Sequence, residues 1–123
     1  MRTPGPQQLW KHLARLLLAA AYVAVAFASL VPKELRPTSG FVPGAIEHLA
    51  AYFMLGLLGA AVLRGKTSLW MLALVNVAAA AALETAQLLV PGRVANVIDF
   101  AASALGSLLG ILFVLALRRK LRH

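Results

Sequence analysis

The sequence has no cysteine, so neither a disulfide framework nor a thiolate metal site can be built from it. Acidic side chains are almost as scarce, with only four among 123 residues: Glu34, Glu47, Glu84 and Asp99. Charged residues make up 13% of the chain and hydrophobic ones 61%, with a mean hydropathy of +0.82. A soluble domain is usually about 25% charged and roughly 45–50% apolar. At this length a water-soluble fold could not hide so much apolar surface, because small domains bury only part of what they expose. A lipid bilayer removes that difficulty by serving as the apolar solvent. The absence of strand-like alternation over about ten residues excludes a membrane barrel.

What is present is four long apolar runs: about Leu13 to Val31, Ala45 to Leu63, Leu69 to Val90 and Val97 to Leu117. Each is roughly 20 residues, the length needed to span a bilayer as a helix. Helix is the required conformation, since an open strand leaves backbone groups unpaired in lipid. The expected fold is therefore all-α, a single-domain membrane bundle of four transmembrane helices over residues 1–123. Breaks fall where turn chemistry is dense: Pro32 to Gly40 with Pro43-Gly44, then Arg64 to Ser68, then Pro91-Gly92-Arg93. Ser68 is the expected N-cap of the third helix. The two short loops make helix two antiparallel to three, and three antiparallel to four.

The net charge of +8 comes from 12 Lys and Arg. They gather at segment ends, as topology signals and lipid-headgroup contacts do. No basic stripe interleaved with aromatics marks a nucleic-acid surface. One side collects Arg2, Lys11, Arg15, Arg64, Lys66, Arg118, Arg119, Lys120 and Arg122, the other Lys33, Arg36 and Arg93. The bias predicts both termini in the cytoplasm and a multi-pass protein of the cytoplasmic membrane. One alternative stays open: a basic start, an apolar stretch and Ala26-Phe27-Ala28 also fit a cleavable signal peptide, which would leave three spans.

Three of the four acidic residues lie inside expected helices. A charge at mid-bilayer costs about 2.5–3.5 kcal/mol on insertion scales, so such residues are rare without a role. Glu47 and His48 follow the break at Pro43-Gly44, Glu84 precedes Pro91, and Asp99 follows Arg93. All four fall within roughly 10 Å of the outer interface at 1.5 Å per residue, with Arg93 above them. Glu84 and Gln87 share a face, which Asn76 and Ala80 extend inward. His48, Tyr52, Gly56 and Gly59 form a second stripe, and Asp99, Ser103, Gly106 and Gly110 a third. The glycines predict close packing in the inner half, opening outward into a polar pocket. Several members have plainer structural readings: Asn76 as an interhelical hydrogen bond, Gly106 and Gly110 as packing, Glu34 as a solvated loop charge. Tyr52, Trp10 and Trp70 can be read as interface anchors. Helix one, with only Tyr22 and Ser29 as polar residues in its central stretch, is expected to be the more dispensable.

The sequence resembles the VanZ-like family of small membrane proteins from about Pro43 to Leu112. The resemblance rests on His48 with Tyr52 one turn later, on Glu84-Thr85-Ala86-Gln87 before Pro91-Gly92-Arg93, and on Asp99 with Gly106 and Gly110. Many members carry an aspartate about four residues before the histidine; here that place is Gly44, and Glu47 is the nearby carboxylate. Ser103 stands where many have asparagine. The family takes its name from a protein giving low-level resistance to the glycopeptide teicoplanin, which implies a role in the cell envelope.

These observations give a candidate ligand-binding set of Glu47, His48, Tyr52, Glu84, Gln87, Arg93 and Asp99, facing the outer leaflet. The expected ligand is an envelope lipid or glycan headgroup, and a phosphate suits Arg93. The alternative is a structural or accessory subunit whose buried polar residues only hold the bundle together. An enzyme using His48 as acid–base is a third reading, unsupported by any recognised hydrolase motif. A proton-coupled carrier is a fourth, disfavoured by the small size. The expected partners are membrane lipids, with no nucleic acid and no stated oligomeric state. No cofactor and no metal is assigned, although a metal variant would use His48 with the carboxylates.

Overall fold

The computed structural model describes residues 5–36, 40 and 43–123. Arg2, assigned above to the cytoplasmic side, and Pro37, Thr38 and Ser39 of the first break lie outside the described residues. The described residues form four α-helices: α1 Pro6–Leu30, α2 Gly44–Val62, α3 Lys66–Ala86 and α4 Val97–Lys120. All four are long and apolar enough to cross a membrane, and no strand occurs among the described residues.

The boundaries follow local chemistry. Proline at the first position of α1 sacrifices no hydrogen bond, because that N–H has no partner inside a helix. The extended Val31 and then Pro32 end the helix. Pro43 opens α2. Gly65, at φ +93°, supplies the left-handed backbone that opens α3 three residues earlier than expected, so Ser68 sits inside the first turn and not at the cap. The helix before Pro91 tightens into a 3₁₀ turn at Gln87–Leu89. Asn96 caps α4, its side chain accepting from the Ile98 N–H at 2.9 Å. α1 begins earlier and α4 ends later than the apolar runs, since both carry on through basic flanks.

With alternating direction, α2 and α4 run parallel and form the closest pair in the bundle. A Cβ on Gly56 would collide with the Ser107 carbonyl, one on Gly106 with that of Leu49, and one on Gly110 with that of Phe53. Backbone therefore touches backbone, which is how helices associate where lipid removes the hydrophobic incentive. Gly59 instead faces the Leu72 side chain of α3. Beyond the glycines, Ala60, Leu69, Leu72, Ala73, Ile111 and Val114 form an apolar core at the end holding the chain's C-terminus. Arg118 reaches across there to the carbonyls of Ala60, Ala61 and Leu63, closing the C-terminus of α2.

A polar layer crosses the middle of the bundle. Asn76, wholly buried, donates to Ser107 Oγ at 2.8 Å and accepts from the Tyr22 hydroxyl. Asn76 is thus the interhelical hydrogen-bonding residue that its position suggested, and it ties α1, α3 and α4 together. Large apolar side chains such as Leu16, Val23, Phe27, Leu74 and Leu112 point outward, as a lipid-facing surface requires. Trp10 and Trp70 are exposed near the same end of the bundle, as interface anchors are, but Tyr52 is only 2% exposed and is not one.

Candidate functional site

The polar residues of the opposite end fall into two groups that share His48. The first group lines a cavity of about 430 Å³ between α1 and α2. Ala24, Val25, Ala28 and Ser29 form its α1 wall, and Glu47, His48, Ala51 and Tyr52 its α2 wall. Arg36, Gln87 and Arg93 complete the lining from the connecting segments. The cavity is therefore amphipathic, apolar along most of α1 and polar near the two guanidiniums.

Each cation has a defined position. Arg36 Nη2 meets Glu47 Oε2 at 3.2 Å, a half-buried ion pair that joins the first break to the first turn of α2. Arg93 donates from Nε to the Val31 carbonyl at 3.1 Å and from Nη2 to that of Ala28. These are the orphan carbonyls at the end of α1. Arg93 does not simply overhang the acidic residues, as its loop position suggested; it fastens the α4 entry to α1. A guanidinium has five N–H donors, and the contacts made by the described residues leave part of that capacity in the cavity. Burial is the main influence lowering the Arg93 pKa from its ordinary value; Arg36 adds to this and Glu84 opposes it. The group stays charged all the same.

The second group lies behind His48. Its Nδ1 is 3.8 Å from Glu84 Oε1, its Nε2 is 3.9 Å from Asp99 Oδ2, and one ligand-capable atom from each of the three residues lies within 4.8 Å of the others. Glu84 also accepts from the Asn96 N–H at 3.0 Å, so the α4 cap and the α3 carboxylate hold each other. Ser103 stands at 3.3 Å from His48 Nδ1 and donates to the Asp99 carbonyl at 2.9 Å. A smaller cavity of about 270 Å³ borders Glu84 on its other side, next to Asn96 and Phe100. Of the seven candidate residues, Glu47, His48, Tyr52, Gln87 and Arg93 line the larger cavity; Glu84 and Asp99 do not, and cluster with His48 beside it.

The family assignment follows from the extent of a sequence match. A family model described as VanZ/LLP1 matches residues 6–118, nearly the whole chain and all four helices. The chain belongs to the VanZ/LLP1 family. No curated protein and no solved structure is significantly similar to it.

The VanZ/LLP1 match begins at the first residue of α1, well before the stretch from Pro43 to Leu112 that carried the resemblance. α1 adjoins the site, although it is the least buried of the four helices. It walls the cavity, receives both Arg93 hydrogen bonds and reaches Asn76 through Tyr22. The reading of helices two to four as the functional unit left these α1 contacts out, because α1 contributes mainly backbone carbonyls and small side chains, which leave no polar signature in sequence. Arg36 was likewise not among the candidates. The signal that could have found it is the complementary charge of Arg36 and Glu47 across the proline-bounded break.

Proposed function

We propose that the α1–α2 cavity binds the anionic headgroup of an envelope lipid or glycan, with the site facing the outer leaflet of the cytoplasmic membrane. The observation that carries this reading is the amphipathic lining: Arg36 and Arg93 at the polar end, and Ala24, Val25 and Ala28 along the wall below. A phosphate would meet the guanidiniums, for which forked donation is well suited. An acyl or prenyl chain would lie along α1. Outward orientation rests on the Lys and Arg bias, since the site end carries only Lys33, Arg36 and Arg93. Loss of such binding would change envelope properties, and glycopeptide sensitivity is the phenotype that the family resemblance suggests.

A structural or accessory role is the second reading, and one observation favours it. The hydrogen bonds from Arg93 to α1 would hold the bundle together even in an empty site.

Two variants separate the readings. Arg93→Lys keeps the charge and removes the fork; Arg36→Gln removes a cavity cation without touching the α1 carbonyls. Native mass spectrometry of the purified chain with phosphatidylglycerol, against diacylglycerol as the phosphate-free control, reads binding directly. The binding role predicts that phosphatidylglycerol retention falls at least about fivefold in Arg36→Gln, a loss of roughly 1 kcal/mol, while thermal stability stays at the wild-type value. Wild-type retention in both variants, with both folded, overturns it. Retention and stability falling together would favour the structural role.

A further inference from the structure

The triangle behind His48 poses an electrostatic problem that hydrogen bonding does not solve. Ser103 has one hydroxyl proton, and the 2.9 Å contact commits it to the Asp99 carbonyl. Its oxygen then accepts from His48 Nδ1–H at 3.3 Å. That tautomer leaves the lone pair on Nε2, which faces Asp99 Oδ2 at 3.9 Å. Two electron-rich atoms thus oppose each other, with the Glu84 carboxylate alongside. Among the described residues no arginine or lysine forms an ion pair with Glu84 or Asp99: Arg36 is engaged by Glu47 and Arg93 by the end of α1.

A cation suits this gap, since Arg93 feels the charge of Glu84 but forms no ion pair with it. A divalent cation would bring the cluster to neutrality, which matters most where the surroundings are apolar. The spacing suits an ion. Gaps of 3.8 and 3.9 Å are too long for hydrogen bonds. With metal–ligand bonds of about 2.1 Å, neighbouring ligand atoms lie roughly 3.0–3.6 Å apart; Nε2 and Asp99 Oδ2 stand at 3.9 Å and the three ligand atoms lie within 4.8 Å of one another, so modest side-chain movement would close them on an ion. The outer partners also match those of metal sites, where a histidine ligand donates its other N–H and carboxylate ligands are themselves hydrogen-bonded. Ser103 fills the first role and the Asn96 N–H the second.

We propose that His48, Glu84 and Asp99 form a binding site for a divalent first-row cation, of the zinc or manganese class, bordering the α1–α2 cavity through His48. One imidazole and two carboxylates are ligands both metals accept. This site does not depend on headgroup binding. It extends the sequence reading, which assigned no metal to the seven candidates.

The test is Mn²⁺ titration of the full chain, purified in detergent, stripped with chelator and kept free of phosphate and added lipid. Electron paramagnetic resonance should show one tight equivalent per chain, displaced by Zn²⁺, with a thermal stability increase. Electron spin echo modulation should show one imidazole nitrogen, absent in His48→Gln although His12 and His123 remain. Asp99→Asn and Glu84→Gln should each weaken binding by more than about tenfold. Glu34→Gln, in the exposed loop, should bind as wild type. The proposal is overturned if the folded wild type takes up no stoichiometric ion, or if the nitrogen signal survives His48→Gln. Folded Asp99→Asn and Glu84→Gln proteins binding at wild-type affinity would overturn it too. Because no lipid is present, failure here leaves headgroup binding standing, and loss of phosphatidylglycerol retention leaves this result unaffected.

Discussion

Replacing Gly106 with alanine is the sharpest test of how α2 and α4 are held. The new methyl would strike the Leu49 carbonyl, with the carbonyl carbon at 3.0 Å and the Leu49 Cα at 3.1 Å. Carbon-to-oxygen contacts normally settle at about 3.3–3.6 Å, so the two backbones must part by roughly 1 Å. No side chain can swing away to absorb this. Overpacking of this kind costs about 1–3 kcal/mol, and the upper half of that range is expected because separation also loosens the contacts at Gly56 and Gly110. Gly59→Ala provides the contrast. Its methyl would meet Leu72 Cδ1 and Cδ2 at 2.6 and 2.7 Å, the far end of a side chain that can turn, and it should cost under about 1 kcal/mol. Gly44→Ala, with only Arg36 Nη1 at 3.9 Å, should be near neutral. Reversible unfolding in bicelles by steric trapping gives these differences directly. The effect should also reach the site, since Leu49 follows His48 and a displaced α2 would stretch the 3.3 Å contact to Ser103 beyond hydrogen-bond range. If Gly106→Ala lies within about 0.5 kcal/mol of wild type, or Gly59→Ala costs more, backbone contact does not govern the packing.

Two further outcomes follow from the fold. A double-mutant cycle of Asn76→Ala and Ser107→Ala, read by the same unfolding assay, should give a coupling of about 0.6 kcal/mol and no more than ~1.7, the range for hydrogen bonds between membrane helices; zero coupling would mean that the 2.8 Å bond contributes nothing. Reporter fusions after His123 and near Lys66 should read cytoplasmic, and one near Arg93 external; the reverse pattern would turn the cavity toward the cytoplasm.

Much of the fold is legible along the chain because its causes are local. Pro32, Pro43, Gly65 and Pro91 interrupt apolar runs whose lengths match a bilayer, and lipid leaves the backbone between them only the helix. The helical period placed His48 with Tyr52, and Asp99 with Ser103, on common faces, and rarity alone singled out Glu84. Those faces did gather at one end. Glu34 is exposed, as a loop charge should be.

Partner choice depended on how the helices are rotated and how closely they approach. Nothing local says that Arg93 would turn to the Ala28 and Val31 carbonyls and not to Glu84, because those acceptors are backbone atoms common to every residue. The division at His48, with a cavity on one side and two carboxylates on the other, exists because Gly106 lets α4 press against Leu49 and brings Ser103 under the imidazole. Composition and periodicity determined a membrane bundle with polar groups at one end. The tertiary structure alone decided which of those groups face the cavity and which face each other, since interhelical distance is set by small residues whose effect appears only when two backbones meet.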